Sequence, residues 1–318
     1  MQISDRMRPG TLPLPPRCSR QNVNFLWRRR LEAGTTSSSM EGVPVLIIGE
    51  RINATRKRIG EAVTRRDADF IREEARRQVE AGAHILDVNG GVAGQEVESL
   101  SWLVNIVQEV VDVPLCLDSA DPEALRCALP LCRKQPMINS ITDDPDRFQA
   151  VLPLITQYNA HVIALCLAAG APPTGLEDRV ATAVSLVERL TAAGVPAGNI
   201  YVDPCVFPVS TGSQHGPAVL EAIGRIKAEC PGVYTSAGVS NVSYGLPARK
   251  VLNEAFLLML LGRGMDAAII DPCDTKLMAG IAAAEALNGR DAHCRGYLRA
   301  YRSGKLEPAP AATARNPS

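Results

Sequence analysis

The chain has 318 residues, with 34 Lys+Arg balanced by 34 Asp+Glu, 46% hydrophobic residues and only 4% aromatics. Zero net charge argues against a generally basic nucleic-acid binder. No apolar run reaches the ~18 residues that a membrane-spanning helix needs, and the N-terminus has no apolar signal core. A core this poor in aromatics has to be built from Ala, Val, Leu and Ile.

In chain order, residues 1–42 combine a proline-rich stretch, the basic run Arg28-Arg29-Arg30 and a Thr/Ser string. They read as a disordered arm, with Met40 as an alternative start. From residue 43, short β-branched runs alternate with amphipathic stretches. The expected strands are 43–49, 84–89, 114–118, 137–140, 161–167, 200–203, 234–240 and 267–271. The expected helices are 67–81, 96–111, 121–131, 145–158, 176–193, 217–229, 247–262 and 274–287, with Asp67 as a cap and Gly82, Gly194 and Gly262 at helix ends. Strands alternating with helices mean a parallel sheet. Eight such units over 43–301 favour a closed (β/α)8 TIM barrel, single-domain, and 302–318 reads as a disordered Pro/Ala-rich tail.

Nine cysteines occur, an odd number with no C-x-x-C pair, and Cys116 and Cys166 sit inside apolar runs. Neither a disulfide scaffold nor a zinc ribbon is expected, and a reducing cytoplasm is the default location. The four histidines form no cluster for a catalytic metal, so no metal site is expected in this chain. His84 and His161 open strands at the wrong end of a barrel for catalysis, and His215, before a helix near the correct face, reads as a capping or solvated residue rather than a catalytic one.

The strand ends carry the functional signal. Apolar runs turn abruptly polar at Glu50 and Asn53, at Asp87, at Asp118, at Asn139, at Asp203, at Asn241 and at Asp271. Such groups are costly to bury without partners. The carboxyl ends of barrel strands share one face, where barrel active sites lie. Any one of these residues alone is more often a turn or a cap; their recurrence on so many strands points to one pocket. No strand-end lysine suits a Schiff base, and no glycine-rich phosphate cradle follows strands seven and eight. Asp and Asn together suit a flat heterocycle with an amino-amide edge, such as a pterin or guanine.

The segments IGERIN (48–53), GAHILDVN (82–89), PLCLDS (114–119), MINS (137–140), YVDP (201–204), GVSNVS (238–243) and GMDAA (264–268) carry a resemblance. In this order the chain resembles the methyltetrahydrofolate:corrinoid methyltransferases among the dihydropteroate-synthase-like pterin-binding barrels, and the folate domain of cobalamin-dependent methionine synthase. The resemblance implies that Asp118, Asn139 and Asp203 bind the pterin edge, that Asn241 lies beside N5, and that Gly238 and Ser240 shape that strand end. It also implies supporting roles for Arg249, Asp87, Glu50 and Asn53.

The implied reaction moves a methyl group between N5 of tetrahydrofolate and the cobalt of a corrinoid (cobalamin) on a separate corrinoid protein. 5-Methyltetrahydrofolate is then a substrate, the chain is a homodimer, and neither nucleic acid nor membrane is a partner. The direction of transfer stays open. Departures from dihydropteroate synthase are specific: ERIN follows the first strand in place of that enzyme's Thr-Pro-Asp-Ser-Phe run, the seventh strand lacks its lysine, and the eighth ends Asp271-Pro272-Cys273-Asp274 rather than Arg-His. A dihydropteroate-synthase-like enzyme and a non-catalytic folate-binding protein are the alternatives.

Overall fold

The computed structural model describes residues 43–91, 94–168 and 172–306. The expected arm, Met40 and residues 307–318 of the expected tail lie outside the described residues. Eight strands follow one another around a closed barrel, each parallel to both neighbours. They are β1 (Leu46–Asn53), β2 (Ile85–Asn89), β3 (Leu115–Asp118), β4 (Met137–Ile141), β5 (His161–Leu165), β6 (Ile200–Asp203), β7 (Tyr234–Gly238) and β8 (Ala267–Ile270). The helices around them are α1 (Lys57–Arg65), α2 (Ala68–Ala81), α3 (Glu96–Gln108), α4 (Pro122–Ala128), α5 (Pro145–Gln157), α6 (Leu176–Ala192), α7 (His215–Glu229), α8 (Arg249–Gly262), α9 (Thr275–Leu287) and α10 (Arg295–Arg302).

Strand alternation divides the core into two layers. Leu46, Ile48, Ile85, Cys116, Met137, Ile163, Tyr201, Tyr234, Ala267 and Ile269 point inward and fill the barrel. Tyr201 stacks on Tyr234 with ring centroids 5.0 Å apart, and His161 meets Tyr201 edge-on. The alternate residues Leu86, Val88, Leu117, Ile138, Val162 and Val202 face outward and are buried under the helices. Two or four residues further along the inward phase, the strands deliver Asp87, Asn89, Asp118, Asn139, Asp203, Gly238 and Asp271 to the carboxyl-end mouth. The apolar interior therefore forms the floor of the polar site.

Several boundaries differ from the sequence expectation. The first strand starts at Leu46 and runs on to Asn53, through a register shift between Gly49 and Ile52. Gln78 of α2 serves the shift: its Oε1 accepts the Arg51 N–H at 3.1 Å, a backbone donor that regular pairing would have used. A Cβ on Gly49 would lie 2.5 Å from that oxygen, so only glycine leaves room for it. The helix expected at 121–131 is α-helical over Pro122–Ala128 and tightens to a 3-10 turn over Leu129–Leu131, where Pro130 supplies no N–H. α8 ends at Gly262 as expected, and the left-handed residue beyond it is Gly264, at φ 93°. Helices α1 and α10 were not expected. α1 is nine residues long and buries only Ile59, Ala62 and Val63, and α10 is eight residues long and buries nothing, so neither gives the extended apolar pattern by which the others are recognised. Residue 302, placed at the head of the expected tail, closes α10.

His84 and His161 lie at the amino end of the barrel, where His84 Nδ1 accepts from Ile47 N at 3.0 Å. Among the described residues no helix is long and apolar enough to cross a membrane, and no group of three or more His, Cys, Asp or Glu could hold a metal ion.

Candidate active site at the carboxyl-end mouth

Parallel register lines up the first part of the site. Asn89 pairs with Asp118 across β2 and β3, and Asp118 pairs with Asn139 across β3 and β4. Asn89 Nδ2 donates to Asp118 Oδ2 at 2.9 Å, and Asn139 Nδ2 donates to Asp87 Oδ1 at 3.2 Å. Two carboxylates and two amides thus interlock, with acceptor and donor capacity left over. Burial pushes the Asp87 carboxyl well above its ordinary range, and the neighbouring Asp118 charge adds to the shift. Asp118 is also raised, chiefly by burial, with Arg147 opposing it.

Asp203 closes the far side at the end of β6. It is buried, and its carboxyl accepts the Cys205 N–H at 2.9 Å and the Gly238 N–H. Burial outweighs those bonds and raises its pKa to about 6.

The seventh strand end breaks into a 3-10 turn, Val239–Ser243. There Asn241 is exposed, and its Nδ2 lies 3.5 Å from the position a Cβ would take on Gly238. Gly238 is an inward position, so the amide overhangs the mouth. The Asn241 side chain makes no hydrogen bond to a described residue. Its neighbours hold the turn: Arg249 donates to Ser240 O at 2.7 Å and to Ser243 Oγ at 3.1 Å, and Ser243 Oγ donates to Asn253 Oδ1 at 2.6 Å. Ser240 Oγ donates to Glu50 Oε2 at 3.3 Å, and Arg56 Nη2 donates to Glu50 Oε1 at 2.9 Å. Burial raises the Glu50 carboxyl, against the pull of Arg56. Glu50 is thus brought to the seventh strand end. Asn53 is turned to local work: its Oδ1 accepts the Thr55 N–H and hydroxyl at 3.0 and 2.6 Å.

Three features were missed in the sequence. Asn89 partners Asp118, and its position two residues past Asp87 was the available signal. Arg51 pairs with Glu74 and, at 2.7 Å, with Asp271, which ties the first strand end to the eighth. Two arginines, Arg147 and Arg179, hold loop carbonyls without forming an ion pair with a described residue. Arg179 is fully buried, donating to Pro204 O and Gly175 O at 2.8 Å each and to Cys205 O at 3.2 Å. An arginine on a helix gives no sign from sequence of which carbonyls it will reach.

His215 opens α7, with Nδ1 2.9 Å from Pro208 O and 3.3 Å from Thr211 Oγ1, so it orders the loop after β6.

The pterin binding enzyme family matches residues 49–271. The chain is 38% identical over 268 residues to methylcorrinoid:tetrahydrofolate methyltransferase of Eubacterium limosum, covering 83% of this chain and 98% of that protein. It is 32% identical over 240 residues to methionine synthase of Mycobacterium leprae, a match of 71% of this chain to only 20% of that longer protein. Among solved structures, dihydropteroate synthase from Thermus thermophilus superposes with a TM-score of 0.58 at 22% identity, covering 77% of this chain and 94% of that one. The Yersinia pestis enzyme in a sulfonamide complex superposes at 0.60 with 14% identity, over 78% and 96%. These superpositions reflect a shared fold. Taken with the length-for-length relative, the family match means that the chain belongs to the pterin binding enzymes.

Proposed function

We propose that this chain transfers a methyl group between N5 of tetrahydrofolate and the cobalt of a corrinoid carried on a partner protein. The observation that carries the reading is the match, over 98% of its length, to a relative named for that exchange. The relative is also named with methylcorrinoid as the methyl donor, and both directions use the same site.

The pterin lies flat across the mouth. Asp118 and Asp203 accept from its amino and ring N–H groups, and Asn139 completes the edge with a donor and an acceptor. Asp87 orients Asn139, and Asn89 orients Asp118. Gly238 leaves room for the ring, and Ser240 and Arg249 fix the turn that carries Asn241. Glu50 anchors Ser240 from below.

A methyl on a tertiary amine leaves poorly because the departing nitrogen would be strongly basic. Asn241 donates a hydrogen bond to N5 that strengthens as the N5–methyl bond breaks, which lowers the barrier without making Asn241 an acid. When the methyl moves from folate to cobalt, the bonding pair stays on N5, which gains a proton, and cobalt(I) supplies the pair of the new bond. In the other direction N5 supplies the pair and loses its proton. The corrinoid supplies the redox chemistry; this chain supplies position, N5 activation and an open mouth.

Two further parts belong to the reading. The chain works as a homodimer through the outer faces of α8 and α9, where Val251, Leu258 and Met259 are exposed. It works in the cytoplasm, consistent with cysteines that are free among the described residues.

The test mixes the purified chain with 5-methyltetrahydrofolate and cob(I)alamin and follows formation of methylcobalamin, then runs the reverse from methylcobalamin and tetrahydrofolate. Methyl transfer in either direction is the expected result. Folate binding without transfer would make the chain a binding protein. Condensation of a pterin pyrophosphate with p-aminobenzoate would return it to the synthase class.

A further inference from the structure

We propose that Arg147 is a positioning residue for the pterin edge: its guanidinium buckles the loops that follow Asp118 and Asn139 into one rigid unit. This rests on the reading of the mouth as a pterin site. Arg147 is the third residue of α5, and its backbone N–H is capped by Asp144 Oδ1 at 2.9 Å. From there the side chain reaches back over two strand ends. Nε donates to Ser140 O at 3.0 Å, and Nη2 donates to the same oxygen at 2.7 Å and to Ser119 O at 2.8 Å. Nη1 donates to Ala120 O at 2.7 Å.

Those carbonyls belong to the residues directly after the two side chains that matter. Ser119 follows Asp118, and Ser140 follows Asn139. The pair is already in register, and Ser119 N donates to Asn139 O at 3.1 Å just beyond it. Past that point the parallel ladder ends, and the freed carbonyls would otherwise turn to water. A planar fork with fixed donor angles sets the spacing of the two loops in a way that a single ammonium cannot. Every hydrogen bond of the Arg147 guanidinium goes to these loop carbonyls, and it forms no ion pair with a described residue. Asp118 nevertheless feels its charge, as do Asp121 and Glu96. The same group therefore favours the anionic, accepting form of Asp118 while it fixes where that carboxylate points.

The experiment measures the Kd of the full chain for 5-methyltetrahydrofolate by calorimetry. The variants are Arg147→Met, Arg147→Lys, Asp118→Asn and the double variant Arg147→Met with Asp118→Asn. Leu190→Ala, a core truncation on α6 near the amino end of the barrel, controls for general destabilisation. Both Arg147 variants are expected to lose at least five-fold in affinity. Lys should fail to rescue, because it keeps the charge and loses the fork. The double variant should lose less than the product of the two single losses, since both act on one strand end. Leu190→Ala, with a comparable fall in melting temperature, should bind as the unmodified chain does. Losses below five-fold, full rescue by Lys, or penalties that multiply would each overturn the proposal. An unmodified chain that does not bind 5-methyltetrahydrofolate would instead remove the pterin reading beneath it.

Discussion

Asn241 differs from the other amides of the mouth in having nothing to hold. Asn89 and Asn139 are each committed to a carboxylate, whereas the Asn241 amide hangs over Gly238 with no hydrogen bond to a described residue. A residue that supports only the fold would be expected to show a partner. Asn241→Ala should therefore change unfolding free energy by no more than about 0.5 kcal/mol, as for an exposed side chain. Its single-turnover methyl-transfer rate at saturating 5-methyltetrahydrofolate should fall on the order of a hundred-fold, the scale of a lost donor to developing charge. A near-normal saturated rate would move N5 activation to water or another strand end. Asp203 makes a different prediction, in pH. Raised from 3.8 to about 6, its carboxyl keeps a proton in the folded state over a range where the unfolded chain has lost it. Between about pH 4 and 6 the folded state thus binds more protons, and this group's contribution to stability declines as pH rises. The full decline is about 3 kcal/mol and should vanish from the pH-dependent denaturation curve of Asp203→Asn. Ligand donors favour the ionised form, so 5-methyltetrahydrofolate should bind more weakly as pH falls below 6, with a Kd titration as the check.

At the level of elements, inside and outside were legible because a strand alternates with a period of two. Once Ile85 and Cys116 were inward, Asp87 and Asp118 had to be inward too, and the polar mouth followed from the same phase. Partner choice was not legible in this way. Glu50 meets Ser240 across 190 residues of chain, and Arg51 meets Asp271 across 220, because ring closure brings β1 beside β8. Periodicity also missed α1 and α10, which contribute little or nothing to the core. One contact between elements was visible only in three dimensions. A Cβ on Gly90, immediately after β2, would lie 2.5 Å from Leu100 N and 2.9 Å from Leu100 Cα, both backbone atoms of α3. Backbone cannot rotate aside as a side chain can, so α3 would have to move off the strand end carrying Asp87 and Asn89. Gly90→Ala should cost about 1–3 kcal/mol, read as a lower denaturation midpoint in urea. An unchanged midpoint would mean that helix and strand do not approach so closely.

For the molecule as a whole, the outer surface of the barrel should be polar wherever it meets water, and most of its helices obey this. α8 and α9 do not. From Ala255 to Gly262 α8 has no charged residue, and Met259 and Val251 are 54% and 67% exposed. In α9, Lys276 and Glu285 are the only charged residues, and Glu285 is turned inward to accept the Val45 N–H. Gly280 lets the two helices approach closely, since a Cβ there would meet Leu258 Cδ2 at 3.2 Å. Their adjoining outer faces form one apolar surface, which continues to Leu287, 87% exposed, and to Tyr297 and Leu298 of α10. Exposed apolar area of this kind is a candidate interface, and one flank patch meeting its own copy would give a two-fold dimer. The flank lies to the side of the barrel axis, whereas the site opens at the carboxyl ends of the strands. A dimer formed there would leave both mouths open to a corrinoid protein. Met259→Glu would set a charge against its own symmetry mate or against apolar neighbours, and burying it unpaired would cost several kcal/mol. In sedimentation velocity the unmodified chain should run as a dimer and Met259→Glu as a folded monomer. Because Met259 lies at the far end of α8 from Arg249 and Asn253, which hold the turn of the mouth, the monomer should bind 5-methyltetrahydrofolate with unchanged affinity. A monomeric unmodified chain at micromolar concentration would rule out the dimer, and a monomer that lost folate binding would mean that the partner subunit completes the site.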